Sequence, residues 1–107
     1  MITFQYRKEN GDIAAGEILL LSDDDPMEMD IHANGWTFHT IVGSHRDGHF
    51  ICIPNWSIGG ELAYLQDERW NRERLMNQSF MDKENATAVA RALSTLDTWL
   101  YEYRKEQ

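Results

Sequence analysis

The sequence predicts a two-layer α+β domain: an antiparallel β-meander of about five strands followed by helices packed on one sheet face. Three observations carry this expectation. Asn10-Gly11, Asn34-Gly35 and Asp47-Gly48 punctuate the first half, and Gly with Asn or Asp tolerates the positive φ that a tight hairpin turn demands. The stretches around these turns alternate apolar and polar residues with the strand period of two. After Pro54 the period becomes helical and ends in an apolar stripe from Ala86 to Tyr103. Sheet first and helices afterwards is the order of a sheet covered by helices on one side.

In the first strand, Ile2, Phe4 and Tyr6 share a side. The second, from about Ile13 to Leu21, ends in the continuous apolar run Ile18-Leu19-Leu20-Leu21, which hides the alternation. Ser22-Asp23-Asp24-Asp25-Pro26 then reads as a loop. In the third strand Met27, Met29, Ile31 and Ala33 lie opposite Glu28, Asp30 and His32. Trp36 to Val42 and His49 to Ile53, rich in aromatic and β-branched residues, supply the fourth and fifth. Beyond Gly59-Gly60, Leu62, Leu65, Trp70 and Leu75 recur at roughly helical spacing. The last helix runs from about Lys83 to Lys105, with Ala86, Val89, Ala90, Leu93, Leu96, Leu100 and Tyr103 on one stripe. Asp82 suits its N-cap, and Arg104 and Lys105 suit its C-terminal dipole.

The 107 residues carry 18 acidic against 10 basic side chains, a formal net charge of -8. A chain of this length buries roughly 60–70% of its unfolded surface, enough for one core without metal or disulfide staples. Acidity concentrates in residues 1–43, which hold eight acids and two bases, against ten and eight in residues 44–107. This balance disfavours a phosphate-neutralising nucleic-acid binder. The single cysteine, Cys52, closes no intrachain bridge, and no apolar run reaches membrane-spanning length. With no apolar signal segment at the start, these features lead us to expect a cytoplasmic protein.

The acidic stretch Asp23, Asp24, Asp25, Glu28 and Asp30 carries the most functional content. Its spacing lacks the alternate acids, glycine and terminal glutamate of a calcium loop, and Pro26 falls where such a loop would turn. Two readings stay open: a solvated face, or a docking surface for a basic partner. Glu28 and Asp30 share a strand face about 7 Å apart, a spacing that resembles successive phosphates of a nucleic-acid strand. An acidic surface of this kind fits a groove shaped for nucleic acid by complementarity of potential. His32, His39, His45 and His49 have no zinc-ligand spacing, and no cofactor motif occurs. His49 and Cys52, three apart on a strand, fall on opposite faces, so Cys52 is expected in the core and not in a nucleophilic pair. No catalytic elbow or phosphate loop is present, so an enzyme is not expected. Trp56, Trp70 and Trp99, with Tyr64, Tyr101 and Tyr103, suit core packing, with Trp56 on its turn also suited to anchor a partner.

The stretch Ile53-Pro54-Asn55-Trp56-Ser57-Ile58-Gly59-Gly60-Glu61-Leu62-Ala63-Tyr64-Leu65, followed by Asp67, Trp70-Asn71 and Leu75, is more distinctive than these general motifs. Together with Ile41-Val42-Gly43 it resembles a family of small proteins encoded by phages, plasmids and integrated elements of bacteria, mostly of unassigned function. The resemblance spans roughly residues 36–100, and the neighbourhood of that family resembles that of anti-CRISPR proteins. It therefore implies a non-enzymatic protein inhibitor in a bacterial host cell, one that docks on a basic nucleic-acid-binding effector such as an RNA-guided nuclease and blocks DNA binding or cleavage. The acidic strand from Met27 to Ala33 lies outside the matched stretch. A structural or assembly accessory protein that self-associates, or packs on another element-encoded protein, is the alternative from a different class. A small-molecule-binding or catalytic domain is a third, for which no motif speaks.

Overall fold

The computed structural model describes residues 1–24, 26–45, 48–52 and 81–105, with side chains for residues 1–24, 26–43, 81–96 and 98. Five strands, β1 (Ile2–Arg7), β2 (Ile13–Ser22), β3 (Met27–Ala33), β4 (Trp36–His45) and β5 (Gly48–Cys52), precede the helix α1 (Lys83–Lys105). The sheet order is β1-β2-β3-β4-β5 and every neighbouring pair is antiparallel. This is the five-stranded meander and the α+β class that the sequence predicts. The helical spacing from Leu62 to Leu75, and Asp47 of the third turn, lie outside the described residues.

The turns set the registers. Asn34 and Gly35 both adopt positive φ, 55° and 77°, the signature of a two-residue type I′ hairpin that pairs Ala33 with Trp36. Asn10-Gly11 behaves differently: only Gly11 is left-handed, at φ 92°. Its loop is longer, closed by Gly11 N–H donating to Lys8 O at 3.0 Å and Lys8 N–H donating to Asp12 O at 2.8 Å. Asn10 accepts from the Asp12 amide at 2.9 Å through its side chain, so its short polar group serves the turn without a positive φ.

The apolar run of β2 is explained by which side each residue takes. Ile18 is fully buried and Leu20 half-buried on the helix side, whereas Leu19 and Leu21 are 40% and 50% exposed. The β2–β3 register shifts between Leu20 and Ser22, one extra residue on β2 that ends the regular ladder beside the acidic loop.

Ile18, Ile31 and Phe38 pair in register across β2, β3 and β4 and form the centre of the core. Phe4 pairs with Gly16, where a Cβ would overlap the Phe4 ring at Cζ; the missing side chain is the space the ring occupies. Thr40 is a fully buried polar residue, its hydroxyl donating to Phe38 O at 2.9 Å.

Helix α1 closes the core with Ala86, Val89, Ala90, Leu93 and Leu96 buried, as the stripe predicts. Ala88 and Ala92 are fully buried as well, so the covered arc is wider than the expected stripe. The side chains of Leu100 and Tyr103 lie outside the described residues. The helix lies nearest to β1, where Arg91 Nε donates to the edge carbonyl of Gln5 at 3.3 Å. Its start is capped as predicted, with the Asn85 amide donating to Asp82 Oδ1 at 2.8 Å. Asn85, itself only 3% exposed, accepts from Asn34 Nδ2 at 2.9 Å, which ties the β3–β4 turn to the first turn of the helix.

Candidate functional site on the helix-free sheet face

Because strand side chains alternate, burying Phe4, Ile18, Met29, Ile31 and Phe38 under α1 turns their neighbours to the opposite face. Among the described residues that face carries Thr3, Gln5 and Arg7 from β1, and Ile13, Ala15, Glu17 and Leu19 from β2. Glu28, Asp30 and His32 from β3 and Thr37, His39 and Ile41 from β4 complete it. Among the described residues its acidic groups are Glu17, Glu28 and Asp30, and its one permanently charged cation is Arg7, at the far end of β1 and already donating to Gly11 O at 2.9 Å.

Two cross-strand rows give the face its geometry. In one, Leu19, Asp30 and His39 are register partners, and His39 Nδ1 stands 3.0 Å from Asp30 Oδ1. With the carboxylate as acceptor, the imidazole N–H donates. The side chains are 40% and 26% exposed, so solvent weakens the pair to a modest stabilisation. In the other row, Thr3, Glu17, His32 and Thr37 align across four strands, with His32 Nδ1 and Thr37 Oγ1 hydrogen-bonded at 3.1 Å. This row floors an open depression of about 450 Å³ that Trp36 borders at the β3–β4 turn. Trp36 is 53% exposed. Among the described residues no hydrogen bond or ion pair engages the Glu17 carboxylate.

The predicted acidic residues fall in two places. Asp23 and Asp24 are exposed on the β2–β3 loop, where the Asp24 amide donates to Ser22 Oγ at 3.3 Å. Glu28 and Asp30 share the helix-free face as expected, with Asp30 already bonded to His39. Asp25 and Trp56 lie outside the described residues, as do the side chains of Cys52, His45 and His49. Glu17 escaped sequence reasoning as a residue of this face, because the apolar run of β2 concealed the side on which it stands. Among the described residues no three His, Cys, Asp or Glu side chains come together as a metal site.

The fold and this face define a small two-layer α+β domain with one sheet face under a helix and an acidic second face. The chain belongs to a family of unknown function, DUF6618, whose model matches residues 2–101. No curated protein and no solved structure matches it.

Proposed function

We propose that this protein is a non-enzymatic inhibitor that docks its acidic sheet face and β2–β3 loop onto the positively charged nucleic-acid groove of an effector protein. The effector class that the sequence resemblance implies is an RNA-guided nuclease, which holds guide and target in a basic channel. The observation that carries the reading is the gathering of Glu17, Glu28 and Asp30 on one face, with Asp23 and Asp24 exposed beside them. Such an array gains affinity from desolvated carboxylate–guanidinium pairs at its centre and gains association rate from long-range attraction.

The test is a triple variant, Asp23→Lys, Asp24→Lys and Glu28→Lys, measured by surface plasmon resonance against a panel of purified RNA-guided nucleases. Exposed and half-exposed positions shift stability by less than about 0.5 kcal/mol each, so the variant melts like wild type while its association slows by about tenfold or more. Wild-type binding weakens as salt rises and the screening length shortens toward about 8 Å. Binding of the triple variant at the wild-type rate in low salt, or no binding by wild type to any member of the panel, removes the proposal.

The assembly reading has its own observation: Ile13, Leu19 and Leu21 are 54%, 40% and 50% exposed along β2. It predicts a concentration-dependent dimer in sedimentation velocity that Leu19→Lys disrupts and the triple variant does not.

A further inference from the structure

We infer that the outer edge of β1 is a docking site for an extended acidic segment of a partner protein, which adds to the sheet as a further strand. The inference goes beyond the function proposed above, because it uses a different surface and the opposite charge.

β1 is the first strand in the sheet order, and among the described residues only β2 pairs with it. Lys8 N–H donates to Asp12 O across the hairpin, and along an antiparallel strand successive residues turn their backbone groups to opposite sides. Ile2, Phe4 and Tyr6 therefore bond to β2, while Thr3, Gln5 and Arg7 turn N–H and C=O outward. The bond from Arg91 to Gln5 O fits that assignment. The β1–β2 register runs unbroken from Ile2 to Arg7, and the strand holds no proline and no carboxylate. Thr3, Gln5 and Arg7 are all exposed. A regular, open edge of this kind is a template for another strand.

Charge selects which strand. On a molecule of net charge -8, the bases with described side chains are Arg7, Lys8, Lys83 and Arg91, and all stand on β1, the turn after it, or α1. Lys83 is 3.7 Å from Glu9, but among the described residues neither guanidinium meets a carboxylate: Arg7 donates to Gly11 O and Arg91 to Gln5 O. The two flank the edge, Arg7 on the helix-free side and Arg91 on the helix side. An added strand alternates its side chains between those sides. Its residue opposite Tyr6 points toward Arg91, and its neighbour opposite Arg7 points toward Arg7. Two consecutive acidic residues therefore meet both cations, and a carboxylate is a stronger acceptor for each than a neutral carbonyl. A second copy of β1 fits poorly, since pairing two such edges about Gln5 brings the Arg91 side chains of both copies together.

Farther along, the added residue opposite Ile2 points to the helix side. There Met1, Ile2, Thr3, Thr95 and Thr98 border an open depression of about 490 Å³. An aliphatic side chain seated in it covers Met1, which is 77% exposed.

The probe is the acetylated, amidated peptide Glu-Glu-Thr-Val-Thr-Leu-Thr, whose antiparallel alignment sets the acids opposite Arg7 and Tyr6 and the leucine opposite Ile2. It is titrated into the full chain and followed by two-dimensional 1H–15N NMR. Saturable shifts are expected, largest at the amides of Thr3, Gln5 and Arg7 and at Arg91 Nε–H. Replacing both glutamates by glutamine should weaken binding about tenfold, and so should Arg7→Gln combined with Arg91→Gln. N-methylation of the first two threonines, whose amides face β1, should abolish binding, whereas N-methylation of valine and leucine should leave it. These peptide comparisons use the unaltered chain, so they test the inference even if the arginine variant is less stable. Equal binding of the glutamine peptide, equal binding of the two methylated peptides, shifts confined to strands other than β1, or no saturable shift overturns the inference. Shifts at Thr3, Gln5 and Arg7 that grow with protein concentration in the absence of peptide assign the edge to a second copy and overturn it as well.

Discussion

Gly16 shows how one residue decides the packing of two strands. Its pairing with Phe4 puts the ring over the position a side chain would fill. Phe4 is 5% exposed and sits at a tilted 6.0 Å ring separation from Tyr6, so the ring has little room to withdraw. Gly16→Ala should therefore destabilise the protein by about 1–3 kcal/mol through overpacking, even though alanine suits a strand at least as well as glycine. Urea denaturation followed by circular dichroism measures it. Phe4→Leu in the same chain should recover part of that loss, and strictly additive effects of the two changes would show that the ring is not the obstacle. Thr40 is a second residue of this kind: a hydroxyl in the core, tolerated because Phe38 O accepts from it.

At the scale of elements, the connection between the β3–β4 turn and the start of α1 joins the two layers by a specific bond. Asp82 caps the helix, Asn85 is held in its first turn, and Asn34 reaches it from a left-handed turn position. Asn34→Gly keeps the backbone conformation, because glycine accepts positive φ, and removes only the amide. Asn85→Ala removes the other partner and should cost about 1–2 kcal/mol, since the Asn34 amide then loses its buried acceptor. In a double-mutant cycle by chemical denaturation the pair should show a coupling of about 1 kcal/mol. A coupling indistinguishable from zero would mean that packing alone seats the helix. The exposed pair of Lys83 and Glu9, 3.7 Å apart, should by contrast contribute almost nothing measurable.

At the scale of the molecule, sheet and helix share one core, so neither layer is stable alone. Leu93 and Leu96 are 1% and 2% exposed between α1 and the sheet. Leu93→Asp places an unpaired carboxylate there, which costs several kcal/mol, comparable with the roughly 5–15 kcal/mol stability of a whole domain. The expected outcome is loss of cooperative thermal unfolding for the entire chain. A variant that keeps a sheet-only transition at the wild-type temperature would show two independent units. Leu93→Ala, a milder cavity, should lower stability by about 2–5 kcal/mol and keep the transition cooperative.

Local signals in the chain suffice for the meander, the side that β1 and β3 turn to the core, the hairpin at Asn34-Gly35, the Asp82 cap and the stripe from Ala86 to Leu96. All of these are local: a period of two or 3.6, a residue that accepts positive φ, a carboxylate placed before a first turn. Among the acidic residues, the shared face of Glu28 and Asp30 was legible for the same reason. Whatever depends on register between strands is set by the assembled sheet. Four apolar residues in a row say nothing about which two face the helix, so the outward position of Glu17 became visible only once Ile18 was paired with Ile31. The bond between Asp30 and His39 and the alignment of Glu17 with His32 and Thr37 join residues of different strands, as the contact of Phe4 with the Gly16 position does. Alternation within one strand fixes a side chain's face, but its neighbours on that face come from where the next strand begins to pair, which turn lengths and the β2 bulge set.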